Sequence, residues 1–324
     1  MTVLVTGASG HVGANLVRAL LDRDRAVRVL ARDDARAIDG LDVERVRGDV
    51  LHPDTLRAAV DGADVVYHCA ARISIVGDPD GMVLRTNTEG PRNVVRACLD
   101  AGVRRLVHFS SIHAFDQAPL DQPLDETRPF VGDKAYAYDR SKAAGSREVL
   151  KGVDRGLDAV IVHPTAVLGP HDYKGSRMGR VLLDLYCDRL PSLIQGGFDW
   201  VDARDVVSTA IAAEERGRSG EAYLASGHYA TVAELAAVVS EFSGKRPPRF
   251  VCPQWLAYVG LPFAALAARL TGSEPLFTRE ALGALRANRE IRHDKASREL
   301  GHQPRPLRQT VADTLEWFEG RGEL

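Results

Sequence analysis

The chain begins with the stretch Val3-Leu4-Val5-Thr6-Gly7-Ala8-Ser9-Gly10-His11-Val12-Gly13, which decides its fold. A short run of strand character leads into a turn with three glycines, and an apolar-periodic segment, 14–21, follows directly. This order of strand, glycine-rich turn and helix is the context of a dinucleotide-binding fingerprint. The spacing is G-x-x-G-x-x-G, so an ordinary strand-to-helix loop is the alternative interpretation.

Each glycine has a role in such a turn. Gly7 takes the tight turn off the strand, Gly10 lets the backbone approach a pyrophosphate, and Gly13 lets the helix pack against the strand. The helix N-terminus offers free N–H groups and the positive end of a dipole to the phosphates. The turn therefore predicts a cofactor site that includes Gly7, Ser9, Gly10, His11, Val12 and Gly13.

The composition restricts the classes of protein. The chain has 324 residues, 45% of them hydrophobic, which is enough for one large or two unequal packed domains. A formal net charge of -2 does not suggest a nucleic-acid partner. The four cysteines lack metal-ligand spacing, which predicts no metal site and a cytoplasmic protein with reduced thiols. The first strand leaves no room for a signal peptide, and the prolines within 250–268 make that stretch a poor membrane-spanning helix.

Strands and helices alternate through the first half of the chain. Strands are predicted at 26–30, 43–46, 64–69, 105–109 and 159–162, and helices at 53–60, 88–101 and 138–151. Gly102 and Gly152 are predicted to end two of these helices, and Trp200 to begin a later one. The alternation predicts an α/β fold with a doubly wound parallel sheet, the Rossmann arrangement. We expect a dinucleotide-binding domain at 1–168, to which 200–230 return, and a smaller α/β substrate-binding domain from 169–199 and 231–324.

Ligands of an open parallel sheet bind beyond the carboxyl ends of its strands. Ser110 and Ser111 follow the predicted strand 105–109, and Tyr138 and Lys142 share one face of a predicted helix. A free phenol has a pKa of about 10, and a neighbouring ammonium is expected to lower it, which makes the phenol a usable acid or base. The hydroxyl of Ser111 is placed to bond a substrate carbonyl oxygen as negative charge builds on it.

Together these motifs resemble those of the extended short-chain dehydrogenases/reductases, and the resemblance covers essentially the whole chain. Within that family the chain is most similar to the dihydroflavonol-4-reductase-like branch, which also contains 3β-hydroxysteroid-dehydrogenase-like and nucleotide-sugar-epimerase-like members. Further motifs that carry the resemblance are Gly48-Asp49-Val50, His68-Cys69-Ala70-Ala71, Asn87-Thr88-Glu89-Gly90 and Pro164-Thr165-Ala166-Val167-Leu168-Gly169-Pro170. One departure is Phe115, where many epimerase-like members have tyrosine.

The resemblance implies roles at the matching positions. Tyr138 would be the acid/base, Lys142 would lower its pKa and hold the nicotinamide ribose, and Ser111 rather than Ser110 would polarise the carbonyl. Further cofactor contacts are implied for Asp49, Val50, Ala70, Ala71, Asn87, His163, Pro164, Thr165 and Val167. The substrate side is expected to include Ile73, His113, Tyr173 and Arg177. For His113 the alternative is a solvated loop histidine, and for Arg177 it is a surface salt bridge.

The end of the second strand bears on the choice of cofactor. NAD-selective relatives usually end this strand with an acidic residue that bonds the ribose 2′-OH, whereas this chain has Ala31 followed by Arg32. Arginine is suited to bind a phosphate bidentately. We therefore expect a preference for NADP(H). NAD(H) is the alternative, because Asp33 or Asp34 could pair with the arginine.

Three functions are compatible with these motifs. The first is an NAD(P)H-dependent reductase of a ketone in a small lipophilic substrate, or the reverse alcohol oxidation, with Tyr138 as acid/base. The second is a nucleotide-sugar epimerase or dehydratase that retains NAD, and the third is a non-catalytic NADP-sensing protein.

The apolar run 251–268 is either a pair of core helices or a lipophilic rim over the pocket, which could touch a membrane surface. Related enzymes often dimerise through the helices predicted here at 88–101 and 138–151, so a monomer and a homodimer both stay open.

Overall fold

The computed structural model describes residues 1–32, 34, 36–271 and 278–324, without the side chains of 265–271. Its strands are β1 (Thr2–Thr6), β2 (Ala26–Ala31), β3 (Glu44–Arg47), β4 (Val65–His68), β5 (Arg105–Phe109), β6 (Ala159–Pro164), β7 (Ala166–Leu168), β8 (Leu193–Ile194), β9 (Gly197–Asp202), β10 (Ala222–Ala225), β11 (His228–Thr231) and β12 (Val251–Cys252). Its α-helices are α1 (His11–Leu21), α2 (Pro53–Val60), α3 (Met82–Ala101), α4 (Ala137–Val153), α5 (Arg177–Tyr186), α6 (Ala203–Arg216), α7 (Val232–Ser243), α8 (Gln254–Thr271), α9 (Arg279–Ala284), α10 (Asp294–Leu300) and α11 (Leu307–Gly320).

The main sheet confirms the predicted α/β fold. Among the described residues it has seven strands in the order β10-β6-β5-β4-β1-β2-β3, and all neighbours pair in parallel. Side chains of β1 alternate between its two faces: Val3 and Val5 join the core formed with α1 and α6, and Leu4 joins the core formed with α2, α3 and α4. Helices therefore cover both faces, as expected of a doubly wound sheet.

Close packing between α3 and α4 corrects one predicted helix end. Gly102 ends α3 in the left-handed conformation, with φ of 67°, as predicted. Gly152, in contrast, lies inside α4, which continues to Val153. A Cβ at Gly152 would lie 2.6 Å from Cγ1 of Val95 on α3. This glycine is therefore required by the short distance between the two helices, and not by a helix end.

A second prediction, that Trp200 begins a helix, is wrong. Trp200 lies in β9, where it pairs with His228 of β11 and Ala166 of β7. The helix begins only at Ala203, because the Asp202 carboxylate accepts a hydrogen bond from the backbone N–H of Arg204 at 2.8 Å. This side-chain cap marks the end of the strand and the start of α6.

The later part of the chain contributes to two regions. β10 forms one edge of the main sheet and α6 packs against α1 and β6, whereas β9 and β11 belong to a small sheet, and the predicted domain bounds stay a prediction. A separate apolar core joins α5, α7, α11 and the small sheet β11-β9-β7, with Leu182, Trp200, Leu235 and Phe318 among its buried members. The assignment of this region as a substrate-binding domain stays a prediction.

The apolar run 251–268 does not form the pair of core helices that was one interpretation. It contributes β12 and most of a single helix, α8. Trp255, Val259 and Phe263 of this helix are 68%, 60% and 73% exposed. In the part of the chain that the structure describes, no helix is both long and apolar enough to span a membrane.

Candidate active site

The glycine turn after β1 has the geometry of a phosphate-binding loop. Gly7 has a φ of 73°, and a Cβ there would lie 2.5 Å from the backbone N of Ala70. A Cβ at Gly13 would lie 2.2 Å from the carbonyl O of Gly7, so α1 packs against the turn only without a side chain. Gly10 caps α1 without any side-chain hydrogen bond to the first N–H groups. The turn therefore leaves backbone donors at a helix N-terminus, which is the donor set that a pyrophosphate requires.

Other residues expected at the cofactor lie at strand ends beside this turn. Ala70 and Ala71 follow β4, and Asp49 and Val50 follow β3. Pro164 ends β6, and Val167 lies in the short strand after it. Ser9, His11 and Val12 belong to the glycine turn and the first turn of α1. These positions form one edge of the sheet, where a dinucleotide would lie.

Three of the expected cofactor residues bond other parts of the protein through their side chains. Asn87 holds both backbone groups of Arg72 at 2.8 Å. The His163 Nδ1–H donates to the carbonyl of Ser111 at 2.9 Å, and the Thr165 hydroxyl donates to Asp199 at 2.7 Å. We therefore expect these three to position the surrounding backbone and not to hold the cofactor with their polar side-chain atoms.

The two serines after β5 point in different directions. The Ser110 hydroxyl is hydrogen-bonded to Ser146 of α4 at 2.7 Å, in a buried position. The Ser111 hydroxyl accepts from the backbone N–H of His113 at 3.2 Å, and it lies close enough to the Tyr138 phenol to lower the pKa of that phenol. The structure therefore brings Ser111, and not Ser110, to the tyrosine.

Tyr138 and Lys142 lie on one face of α4, but their electrostatics differ from expectation. The Lys142 ammonium is buried and donates to the carbonyl of Phe109 at 2.8 Å, and burial lowers its pKa to about 8. Burial raises the pKa of Tyr138 to about 12, and the nearby Ser111 hydroxyl offsets only part of this effect. The expected lowering of the Tyr138 pKa by Lys142 is wrong for this arrangement, in which the phenol keeps its proton at neutral pH.

A histidine and a carboxylate lie next to Tyr138. The His113 ring contacts the edge of the Tyr138 ring with centroids 5.7 Å apart, and its Nδ1 lies 3.1 Å from Asp139. The Asp139 carboxylate also contributes to the raised pKa of Tyr138, since a nearby negative charge disfavours the phenolate. Sequence analysis singled out His113 and missed Asp139, although that residue directly follows the tyrosine.

The segment 169–176, between β7 and α5, lies along α1. The His11 ring donates from Nε2 to the carbonyl of Pro170 at 3.1 Å, and the Asn15 amide donates to the same carbonyl at 2.9 Å. One turn further along, Arg18 donates to the Tyr173 hydroxyl at 2.8 Å. One face of α1 thus fixes the path of the segment beside the glycine turn.

This path fixes the contacts of Tyr173, one of the residues expected at the substrate. Tyr173 packs among Arg18, Arg321 and Trp317, so its observed contacts are with α1 and α11 and not with the Ser111–Tyr138 pair. Arg177 is the first residue of α5 and is half-buried. Ile73, another residue expected at the substrate, is 66% exposed in the loop after β4.

Lys174 was missed by the sequence analysis, yet it reaches the glycine turn. Its Nζ donates to the Ser9 hydroxyl at 2.9 Å and lies 3.8 Å from Asp34, which also pairs with Arg36 at 3.0 Å. Burial and the nearby charges of Arg32 and Arg36 lower the pKa of Lys174. Three cations therefore surround the end of β2.

Arg32 itself is accessible to a ligand at the end of β2. Its side chain is 75% exposed, and one guanidinium nitrogen lies 3.6 Å from Asp49. Asp34 pairs with Arg36 and Lys174 instead, and Asp33 lies outside the described residues. The pairing of Arg32 with Asp34, which would have favoured NAD(H), is therefore absent among the described residues.

Three buried histidines lie beneath the site. The His68 Nδ1 is hydrogen-bonded to Thr6 at 2.7 Å, and its ring stacks on that of His108 with centroids 5.2 Å apart. Burial, together with the Lys142 ammonium, lowers the pKa of His68 and of His163 to about 3, and that of His108 well below its usual value. All three rings are therefore neutral in the folded protein at physiological pH.

The buried histidines predict a strong loss of stability in mild acid. A histidine that is neutral when folded, but has a pKa near 6.5 when unfolded, binds a proton on unfolding. The stability it contributes is full above about pH 6.5 and is lost as the pH falls toward its folded pKa. Each of the three contributes up to about 1.4 kcal/mol per pH unit once the unfolded histidine is fully protonated, so the free energy of unfolding should drop by up to roughly 5 kcal/mol between pH 6.5 and pH 5. Urea denaturation followed by circular dichroism measures this drop.

A matched pair of variants assigns the effect. Neither nitrogen of His108 has a hydrogen-bond partner among the described residues, so His108→Leu should fold at neutral pH and reduce the pH dependence by about one third. The exposed His52 serves as the control, because His52→Gln should leave the dependence unchanged. Identical pH dependences in wild type and His108→Leu would contradict the assignment.

Comparison with known proteins agrees with this geometry. The sequence pattern of the NAD dependent epimerase/dehydratase family matches residues 3–226. The chain is 36% identical to sterol demethylase protein B of Methylococcus capsulatus, over 100% of both chains. It is 30% identical to 4-hydroxy-2-methyl-3-oxo-4-farnesyl-3,4-dihydroquinoline-1-oxide ketoreductase of Stigmatella aurantiaca, over 97% of this chain and 96% of that one. The crystal structure of gox2253 matches with a TM-score of 0.86 and 34% identity, over 100% of this chain and 99% of that one.

The chain therefore belongs to the NAD-dependent epimerase/dehydratase family of extended short-chain dehydrogenases/reductases, and it is an enzyme of that family. The residues present fit a nicotinamide dinucleotide. The side-chain-free turn at Gly7 and Gly13 and the uncapped N-terminus of α1 together provide donors for its pyrophosphate.

Proposed function

We propose that the enzyme reduces a ketone in a small lipophilic substrate with NADP(H), or oxidises the corresponding alcohol. The observation that carries the proposal is the pairing of Ser111 with Tyr138 at the carboxyl edge of the sheet, with Lys142 one turn along α4. The bound nicotinamide cofactor supplies the hydride that adds to the carbonyl carbon.

The chain's own residues handle the carbonyl oxygen. The Ser111 hydroxyl donates a hydrogen bond to that oxygen and stabilises the negative charge that develops on it. Tyr138 then transfers its phenolic proton, so its O–H bond breaks as the O–H bond of the product alcohol forms. Because the pKa of Tyr138 is about 12, the phenol carries this proton at neutral pH. Lys142, one turn further along the same helix, is proposed to hold the ribose of the nicotinamide.

A lipophilic substrate is supported by the surroundings of the pair and by two relatives. The loop between β4 and α3 exposes Ile73 and Val76, which are 66% and 45% accessible. One relative is named for sterol demethylation and another is named as the ketoreductase of a farnesylated ketone. Both names describe lipophilic small molecules.

The alternative is a nucleotide-sugar epimerase or dehydratase that retains NAD. Phe115, which stands where many epimerase-like members have tyrosine, is buried against His163 with ring centroids 4.6 Å apart. It offers no hydroxyl to a sugar, so this position supports the reductase.

The preference for NADP(H) is supported by the charges around the end of β2. Arg32 extends into solvent beside Asp49, and Lys174 reaches the same corner from the segment 169–176. We include Lys174 in the proposed site of the 2′-phosphate because Arg32 and Arg36 are close enough to lower its pKa. A phosphate at this corner would be bound by at least two cations.

Turnover of the cofactor tests the proposed reaction. We expect the purified enzyme to oxidise NADPH stoichiometrically with at least one member of a panel of steroid, flavonoid and prenylated ketones. The absorbance of the reduced nicotinamide measures the rate, and chromatography identifies the alcohol. Conversion of a nucleotide sugar without net consumption of added cofactor would instead establish the epimerase.

A further inference from the structure

Helix α8 presents an apolar face to solvent. Trp255, Val259 and Phe263 follow one another at intervals of four residues, which places them on one side of the helix. They are 68%, 60% and 73% exposed, and we call these three residues the α8 stripe. Leu256 beside them and Phe250 before the helix are also exposed. Contiguous apolar surface of this kind marks an interaction site.

The stretch of sequence that contains the α8 stripe carries charges of one sign. Residues 242–273 contain four basic residues and no acidic one, although the whole chain has a net charge of -2. Arg246 and Arg249 are exposed, and neither has an ion-pair partner in the described ranges. Arg249 precedes Trp255 by six residues, so the two lie at most about 20 Å apart along an extended chain. An anionic surface would complement this region.

The α8 stripe belongs to a helix that lies beside the entrance to the active site, near Tyr136. Tyr258 of α8 lies close enough to Tyr136 to affect its pKa, and Tyr136 caps the helix that carries Tyr138. The neighbouring helix α9 contacts the other side of the entrance, because Oε1 of Glu280 would lie 3.8 Å from a Cβ at Gly77. This glycine lies in the same loop as the exposed Ile73 and Val76.

We propose that the α8 stripe and its basic neighbours bind the anionic surface of a lipid bilayer. A helix with aromatic and aliphatic side chains on one face and basic residues nearby lies in the interface, with its apolar face below the headgroups. Anionic lipids attract the basic residues. The entrance to the active site then opens at the bilayer, where a lipophilic ketone dissolves. That last step rests on the proposed function, whereas bilayer binding does not.

Vesicle sedimentation tests the proposal. Wild-type enzyme should sediment with vesicles of phosphatidylcholine and phosphatidylserine, and the partition coefficient should fall at least about 10-fold in the double variant Trp255→Ser, Phe263→Ser. Arg246→Gln with Arg249→Gln should weaken binding only when phosphatidylserine is present, and less so at high salt. Leu120, which is 51% exposed, provides the control, because Leu120→Ser should leave the partition unchanged.

Tryptophan fluorescence gives a second measurement that needs no folded serine variant. Trp255 is exposed, so its emission should shift to the blue on addition of vesicles, and Trp255→Phe should lose the shift but still sediment. Absence of vesicle binding by the wild type, or equal binding by the double serine variant, overturns the proposal. A dimer that forms without vesicles and that the serine variant abolishes assigns the α8 stripe to a second copy of the chain, which also overturns it. NADPH turnover with a water-soluble ketone reports separately on the proposed function.

Discussion

Replacing Tyr138 with phenylalanine should lower kcat for ketone reduction at least about 10²-fold, while the dissociation constant of NADPH changes little. Phenylalanine keeps the ring that contacts His113 at a centroid distance of 5.7 Å, so the packing around the site is preserved. The substitution removes only the hydroxyl, which is the proton donor that the proposed reaction assigns to the carbonyl oxygen. Steady-state kinetics at saturating substrate, together with calorimetric titration of the cofactor, measures both quantities.

The two serines supply an internal control for this result. Ser111→Ala should lower kcat roughly 10-fold to 10³-fold, because it removes one donor to the developing oxyanion. Ser110→Ala should have a much smaller effect on kcat, because this hydroxyl is bonded to Ser146 inside the protein at 2.7 Å. Near wild-type turnover by Tyr138→Phe would refute the mechanism. A larger loss from Ser110→Ala than from Ser111→Ala would refute the assignment within the serine pair.

The main sheet could be predicted because its signals are local. The strand from Thr2, the turn at Gly7 and the helix after it are adjacent in sequence, and each of the next strands ends at a recognisable turn. The same locality explains why Tyr138 and Lys142 were found, since one helical turn separates them. The choice of Ser111 over Ser110 came from the family resemblance, and the surroundings of the two serines agree with it, since Ser110 bonds Ser146 and Ser111 lies beside Tyr138.

The corrections concern features that depend on distant parts of the chain. Lys174 meets Ser9 across 165 positions of sequence, and the path of the segment 169–176 depends on contacts with α1 that no local pattern reports. Gly152 was assigned to a helix end because its contact with Val95 of another helix was not visible in the sequence. The raised pKa of Tyr138 likewise follows from burial, which depends on tertiary packing.

The apolar run 251–268 shows why composition alone is ambiguous. Its apolar side chains favour burial, and a pair of core helices was therefore one interpretation. The structure leaves Trp255 and Phe263 in solvent, and the adjoining Arg249 is exposed as well. Whether an apolar helix face is covered depends on what the rest of the chain brings to it, and here the described residues leave it uncovered.

Replacing the cations at the end of β2, Arg32 and Lys174, should weaken the binding of NADPH far more than the binding of NADH. A hydrogen bond to a charged group contributes about 1.5–3 kcal/mol, so Arg32→Ala should raise the dissociation constant of NADPH roughly 10-fold to 150-fold. Lys174→Ala should act in the same direction, because its Nζ lies near both Ser9 and Asp34. If the two contacts are independent, the affinity of the double variant for NADPH should fall about 10²-fold or more.

Calorimetric titration with NADPH, NADH and adenosine 2′,5′-bisphosphate separates the phosphates that each cation contacts. If Lys174 binds the 2′-phosphate, Lys174→Ala should lower the affinity for NADPH and the bisphosphate and leave that for NADH nearly unchanged. If it binds the pyrophosphate instead, the variant should lower the affinity for both dinucleotides. The differences should shrink as salt is added, since exposed charges are screened. Lys151→Ala is the matched control, because Lys151 is an exposed lysine paired with Glu148 at 2.8 Å on the last turns of α4. Tighter binding of NADH than of NADPH by the wild-type enzyme would refute the proposed preference, whatever the variants do.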